Sequence, residues 1–138
     1  MRQSDRRDSS FVLVLEAWVL VPLLAVAVRL WPTIVMRLRN PVLPGVASAP
    51  RAALADDVAL AVERACRRLP ARATTCLPRA LAVHVMLRRR GAESHLRIGV
   101  SKASRGGMRA HAWVDAGSRV IGVDAAGPEF VTLPVSCP

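Results

Sequence analysis

Cys76 and His111 are the two side chains of this sequence whose types and settings could together do covalent chemistry. Cys76 stands in TTCLPRAL, behind two threonines and two residues before a proline. Pro78 fits the first turn of a helix, where its missing N–H costs no hydrogen bond, and Thr74 and Thr75 offer capping hydroxyls. The pattern predicts a helix of about four turns that opens at Cys76, runs to Arg88-Arg89-Arg90 and stops at Gly91. A thiol at a helix N-terminus feels the positive end of the dipole, which favours the nucleophilic thiolate. The other two cysteines, Cys66 inside a helical pattern and Cys137 at the tail, have no such setting and read as structural or incidental. An odd count without paired spacing is no disulfide framework and fits a reducing cytoplasm. No CxxC or HExxH occurs, so neither a metal site nor another cofactor is expected.

The base follows from a hairpin. In AHAWVDAGSRVIGVD, Gly117-Ser118 suits a two-residue type II′ turn with Gly in the first central position. That register pairs Val114 with Ile121 and Ala112 with Val123. All four are apolar, and a slip by one residue would turn them outward. The opposite face then carries His111, Trp113 and Asp115, facing Asp124, Gly122 and Val120. His111 and Asp124 stand directly across the ladder, with Cβ atoms about 4.5–5.5 Å apart. Asp115 shares the face but lies roughly 13 Å along the strand from His111, so Asp124 is the acid that would orient the imidazole.

Of the other histidines, His84 is roughly 12 Å from Cys76 along the same helix, and His95 opens a strand to which the hairpin register assigns no acid. An oxyanion hole also needs donors near the nucleophile. The only side-chain amides, Gln3 and Asn40, are far from Cys76 in sequence. The Cys76 N–H, the Thr75 hydroxyl and Trp113 remain as candidates for oxyanion or substrate contacts. Taken singly, a buried cysteine is usually a small hydrophobe and a strand histidine usually structural. Together, a helix-start thiol with a His–Asp pair across a hairpin points to thiol-based acyl chemistry.

The elements that must position these groups are legible around them. Leu54, Val58, Val62, Ala65 and Leu69 recur at helical spacing, with Asp56, Asp57 and Glu63 early and Arg64, Arg67 and Arg68 late, and Pro70 ends the run. After Gly91 the period changes. Residues 95–100, 109–116, 119–124 and 130–133 are short β-prone runs separated by Gly- or Pro-containing breaks. Helices followed by strands predict an α+β fold with an antiparallel sheet.

The N-terminal third differs. Met1 to Ser10 is polar and charged and reads as a frayed tail, whereas Phe11 to Val28 is almost wholly apolar. Glu16 and Pro22 interrupt that run and Arg29 stops it, which argues against an ideal membrane span. Ala47-Ser48-Ala49 imitates a signal-peptidase site but lies across Arg29, Arg37 and Arg39, far beyond the apolar run, so no secretory signal is expected. The reading adopted is a pair of helices, split at Pro22 or Pro32 with the second near 33–39, packed on the rest of the protein, a partner or the membrane interface. Asn40 to Pro50 then marks a boundary between an extension, 1–50, and a catalytic domain, 51–138.

At 138 residues the chain suits one compact domain plus an extension. With 52% hydrophobic residues it can build a core, and with 4% aromatics and no Tyr that core rests on Leu, Val and Ala. The net charge of +10 is almost all arginine, since Lys102 is the sole lysine. No basic stripe interleaved with aromatics is present, so nucleic acid is not an expected partner. Anionic peptides and membrane surfaces remain compatible with the charge.

The series TTCLPRALAVHVMLRRRG, LRIGVS and AHAWVDAGSRVIGVD, in that order, resembles the leader peptidases of bacterial lasso-peptide biosynthesis, whose fold is related to that of transglutaminases. The resemblance spans about residues 69–133, and Glu16-Ala17 also looks like that family's N-terminal segment. It implies a transglutaminase- or papain-like core, with the cysteine-bearing helix packed on a small antiparallel sheet. The family's catalytic cysteine, histidine and acid fall on Cys76, His111 and Asp124. The implied reaction is hydrolysis of one peptide bond, which frees a ribosomally made precursor from its leader. Implied partners are the precursor, a separate leader-binding recognition protein and a lasso cyclase, in the cytoplasm or peripherally on a membrane. Two other readings stay open: another acyl transfer on the same triad, such as crosslinking or deamidation, and a non-catalytic, cationic, membrane-associated scaffold.

Overall fold

The computed structural model describes residues 2–31, 33, 52–102, 106–122 and 131–132. Among the described residues three helices, α1 (Arg2–Leu30), α2 (Ala52–Cys66) and α3 (Cys76–Arg89), precede four strands, β1 (His95–Lys102), β2 (Met108–Ala116), β3 (Arg119–Ile121) and β4 (Val131–Thr132). The sheet is antiparallel with the order β3-β2-β1-β4. This is the α+β arrangement expected, with the cysteine-bearing helix on the sheet and an N-terminal helix added.

One hydrophobic core joins all the layers. Leu13, Ala17, Val21 and Leu24 of α1 meet Ala55, Val58 and Val62 of α2, and Leu81, Met86 and Leu87 of α3 fill the centre. From the sheet come Leu96, Ala112, Val114 and Ala116. These β2 residues alternate, as a strand with one face on a helix layer must. Trp113, on the opposite face, is also buried, whereas its neighbours on that face, His111 and Asp115, are half-buried.

The N-terminal run does not break at Pro22, although α1 does end just before Pro32. A single helix starts at Arg2 and passes through Pro22 to Leu30, so residues 2–10 are its first turns. Pro22 removes a helical hydrogen bond and costs about 3 kcal/mol in an isolated helix. Burial of Ala17 and Val21 before it and of Leu24 after it offsets that loss. The second helix expected near 33–39 lies, beyond Thr33, outside the described residues.

Glu16, which looked like an interruption, is a tie. Its carboxylate accepts hydrogen bonds from Arg89, at 3.2 Å, and from Arg90, joining the middle of α1 to the C-terminal end of α3. Arg90 also donates to the Met86 carbonyl, at 3.0 Å. Glu16 and Arg90 are both largely shielded from water, unlike the exposed pair of Arg67 and Glu63. Glu16→Ala is therefore expected to destabilise the fold by about 1–3 kcal/mol, against at most about 0.5 kcal/mol for Glu63→Ala. Urea denaturation of the two variants checks the ranking.

Candidate active site

Cys76 occupies the first position of α3 and is half-buried. Thr75 is the N-cap by its extended backbone, φ −64° and ψ 162°, but its hydroxyl makes no capping bond. Thr74 does not cap the helix either, for its hydroxyl donates to the Ala71 carbonyl at 3.4 Å. No threonine hydroxyl therefore takes up the first-turn N–H groups beside the thiol, which leaves the positive end of the dipole available to an anion there. The Cys76 Sγ lies 3.9 Å from the Ala110 carbonyl, next to His111 on β2.

Cys76 and His111 line the same cavity, about 230 Å³ in volume. Ala59, Val62, Val83 and Ile121 give it an apolar lining, and Glu63 and Arg79 add charge. The Arg67 guanidinium, hydrogen-bonded at 2.7 Å, holds the Glu63 carboxyl below the usual carboxylate range. A larger cavity of about 560 Å³ lies elsewhere, between Phe11 and Val14 of α1 and the arginines around the end of α2, and among the described residues no cysteine or histidine lines it.

His111 is held from two sides. Its Nε2 is 2.8 Å from the Gly122 carbonyl, and its ring stacks on Trp113 with centroids 6.2 Å apart. A carbonyl can only accept, so Nε2 carries a hydrogen, and Nδ1 is the basic nitrogen of the neutral ring. Gly122 follows the end of β3 with φ +90°, a left-handed conformation that side chains rarely adopt. A Cβ there would meet nothing closer than 3.8 Å, so backbone conformation, not space, calls for glycine. The role of this carbonyl was missed in the sequence, although a glycine inside a strand pattern signals an irregular backbone.

The hairpin register is as expected over the described residues. Val114 pairs with Ile121, Asp115 with Val120 and Ala116 with Arg119, and Gly117 takes a positive φ of 63° at the turn. Asp124 lies outside the described residues. Asp115 is engaged elsewhere, accepting from Arg97 Nε at 2.9 Å. His84 is buried, with Nδ1 2.9 Å from the Ser94 hydroxyl. His95 has Glu93 beside it at 3.2 Å; the pair is exposed and two residues apart. Trp113 supports His111 from beside it and does not line the cavity.

Among the described residues two free thiols can be compared. Burial pushes the Cys66 thiol up, with the Glu63 charge adding slightly and Arg79 opposing. Cys76, at the first position of α3, opens onto a cavity and is accessible from it. Brief iodoacetamide treatment at slightly acidic pH is expected to alkylate Cys76 well before Cys66. Peptide mapping reads the order, and equal labelling would remove the case for an activated nucleophile.

A family model described as the transglutaminase-like superfamily matches residues 17–133, from the middle of α1 to just past β4. The chain belongs to that superfamily. Neither a curated protein nor a solved structure matches it. Members of this superfamily are usually cysteine-based enzymes, so an activity of the cysteine-protease or acyltransferase type is what the family brings to this site.

Proposed function

We propose that this chain is a cysteine endopeptidase that removes the leader from a ribosomally synthesised lasso-peptide precursor, with Cys76 as nucleophile, His111 as base and Asp124 as the acid orienting it. The observation that carries the reading is the meeting of Cys76, at the start of α3, and His111, on β2, in one cavity of a transglutaminase-like fold. His111 takes the thiol proton, and the thiolate adds to the carbonyl carbon of the scissile bond. The tetrahedral intermediate collapses as the amine of the core peptide leaves with that proton, and the leader remains as a thioester on Cys76. Water, deprotonated by His111, then attacks the thioester and frees the leader carboxylate and the thiol.

The motif series from residue 69 to 133 supplies the substrate class, and the partners are then a separate leader-binding protein and a cyclase acting in the cytoplasm. The test is incubation with a precursor and the recognition protein encoded beside it, followed by mass spectrometry. Leader and core masses that sum to the precursor plus one water support hydrolysis. An amine adduct of the leader, formed when a primary amine is present and in preference to the hydrolysed leader, would replace the protease by an acyltransferase.

A further inference from the structure

The helix α1 has two apolar faces and the domain uses one. Leu13, Ala17, Val21 and Leu24 are buried in the core. Phe11, Leu15, Trp18, Val19, Leu23 and Val26 are exposed, by between 48% and 70%, and fall together on the opposite side of the helix. Within Ser10–Leu30 an 18-residue window reaches a mean hydropathy of 2.6. A row of large apolar side chains of this length is more than a monomer ordinarily leaves in water.

Cationic groups border this face. Arg64, Arg67 and Arg68, at and just beyond the end of α2, share one cavity with Phe11 and Val14, and Arg68 also lines an apolar hollow of about 260 Å³ with Phe11, Leu15 and Trp18. Only Arg67 of the three makes an ion pair among the described residues. The whole chain carries +10. Two copies of this chain meeting through the face would bring like charge onto like charge. An anionic bilayer complements both features, because its acyl boundary takes the apolar row and its headgroups take the arginines.

We infer that the exposed face of α1 docks this protein onto anionic lipid, with the helix lying in the plane of the membrane. The helix does not cross the bilayer. Its length, about 30 Å for 21 residues, would suffice. Crossing, however, would strip Leu13, Val21 and Leu24 from the core and carry Glu16 and its arginine partners from α3 into hydrocarbon. Lying flat leaves the core and the ion pairs untouched. The inference rests on α1 and α2 alone and is independent of which peptide bond is cleaved.

Flotation of the full chain with vesicles tests it. The protein is expected to float with phosphatidylglycerol–phosphatidylcholine vesicles, to bind pure phosphatidylcholine at least tenfold more weakly, and to be released by a carbonate wash. The double variant Leu15→Glu/Leu23→Glu alters only exposed side chains. It should bind the anionic vesicles at least tenfold more weakly, with an unchanged circular-dichroism spectrum and an unchanged rate of Cys76 alkylation. Equal binding to both lipids, indifference to the double substitution, or retention until detergent is added would each overturn the inference. So would a dimer in sedimentation velocity that the double variant dissociates, with no flotation, since the face would then be a contact between copies.

Discussion

Cys76→Ala is expected to lower precursor cleavage by about 10⁴-fold or more, the scale on which removal of a covalent nucleophile acts. Alanine is the best helix former, and the site is the first, half-buried position of α3, so the fold should survive. His111→Ala should cost a similar factor, because without a base the thiol keeps its proton and the leaving amine receives none. Single-turnover cleavage followed by mass spectrometry measures both, alongside thermal melts that show the variants folded. Asp124→Asn should lose less than either, since the acid orients the base without taking a proton. Asp115→Asn should be mild, because the pair it weakens with Arg97 lies at the surface, with Arg97 half exposed. Full turnover by a folded Cys76→Ala protein would end the protease reading. A larger loss from Asp115→Asn than from Asp124→Asn would show that the hairpin does not bring Asp124 opposite His111.

Removing residues 1–31 is expected to abolish the folded state, although the proposed catalytic groups all lie downstream. Leu13, Val21 and Leu24 are buried against α2 and α3. Burial of three such side chains contributes roughly 5–9 kcal/mol, which is comparable to the whole stability of a typical domain, about 5–15 kcal/mol. The truncation would also bare the faces of Val58, Val62, Met86 and Leu87, and Arg89 and Arg90 would lose Glu16. The expected result is insoluble protein, or soluble protein without a cooperative melt or a reactive Cys76. A truncated chain that melts cooperatively within a few degrees of the full chain would show that α1 is dispensable to the core.

The parts legible in the sequence are those governed by near neighbours. Pro78 and Gly91 bracketed α3 correctly, because a proline tolerated only in a first turn and a glycine at a helix stop are local backbone preferences. The register of β2 on β3 was legible because strand side chains alternate with a period of two and a Gly-first turn sets the phase. Hydrophobic spacing likewise marked the buried positions Val58, Val62 and Ala65 of α2.

Tertiary structure decided the rest. Pro22 and Glu16 both read locally as interruptions. One is carried through by the core burial around it, the other by arginines 73 and 74 residues away, and no window of sequence contains those partners. The Gly122 carbonyl became a partner of His111 only through a positive φ at the end of β3. The meeting of Cys76 with His111, 35 positions further along the chain, depends on how α3 lies on the sheet. Sequence by itself set the chemistry of each group and the local backbone that presents it. Which groups face one another was decided by the packing of three helices on four strands, because burial rewards contacts without regard to their separation along the chain.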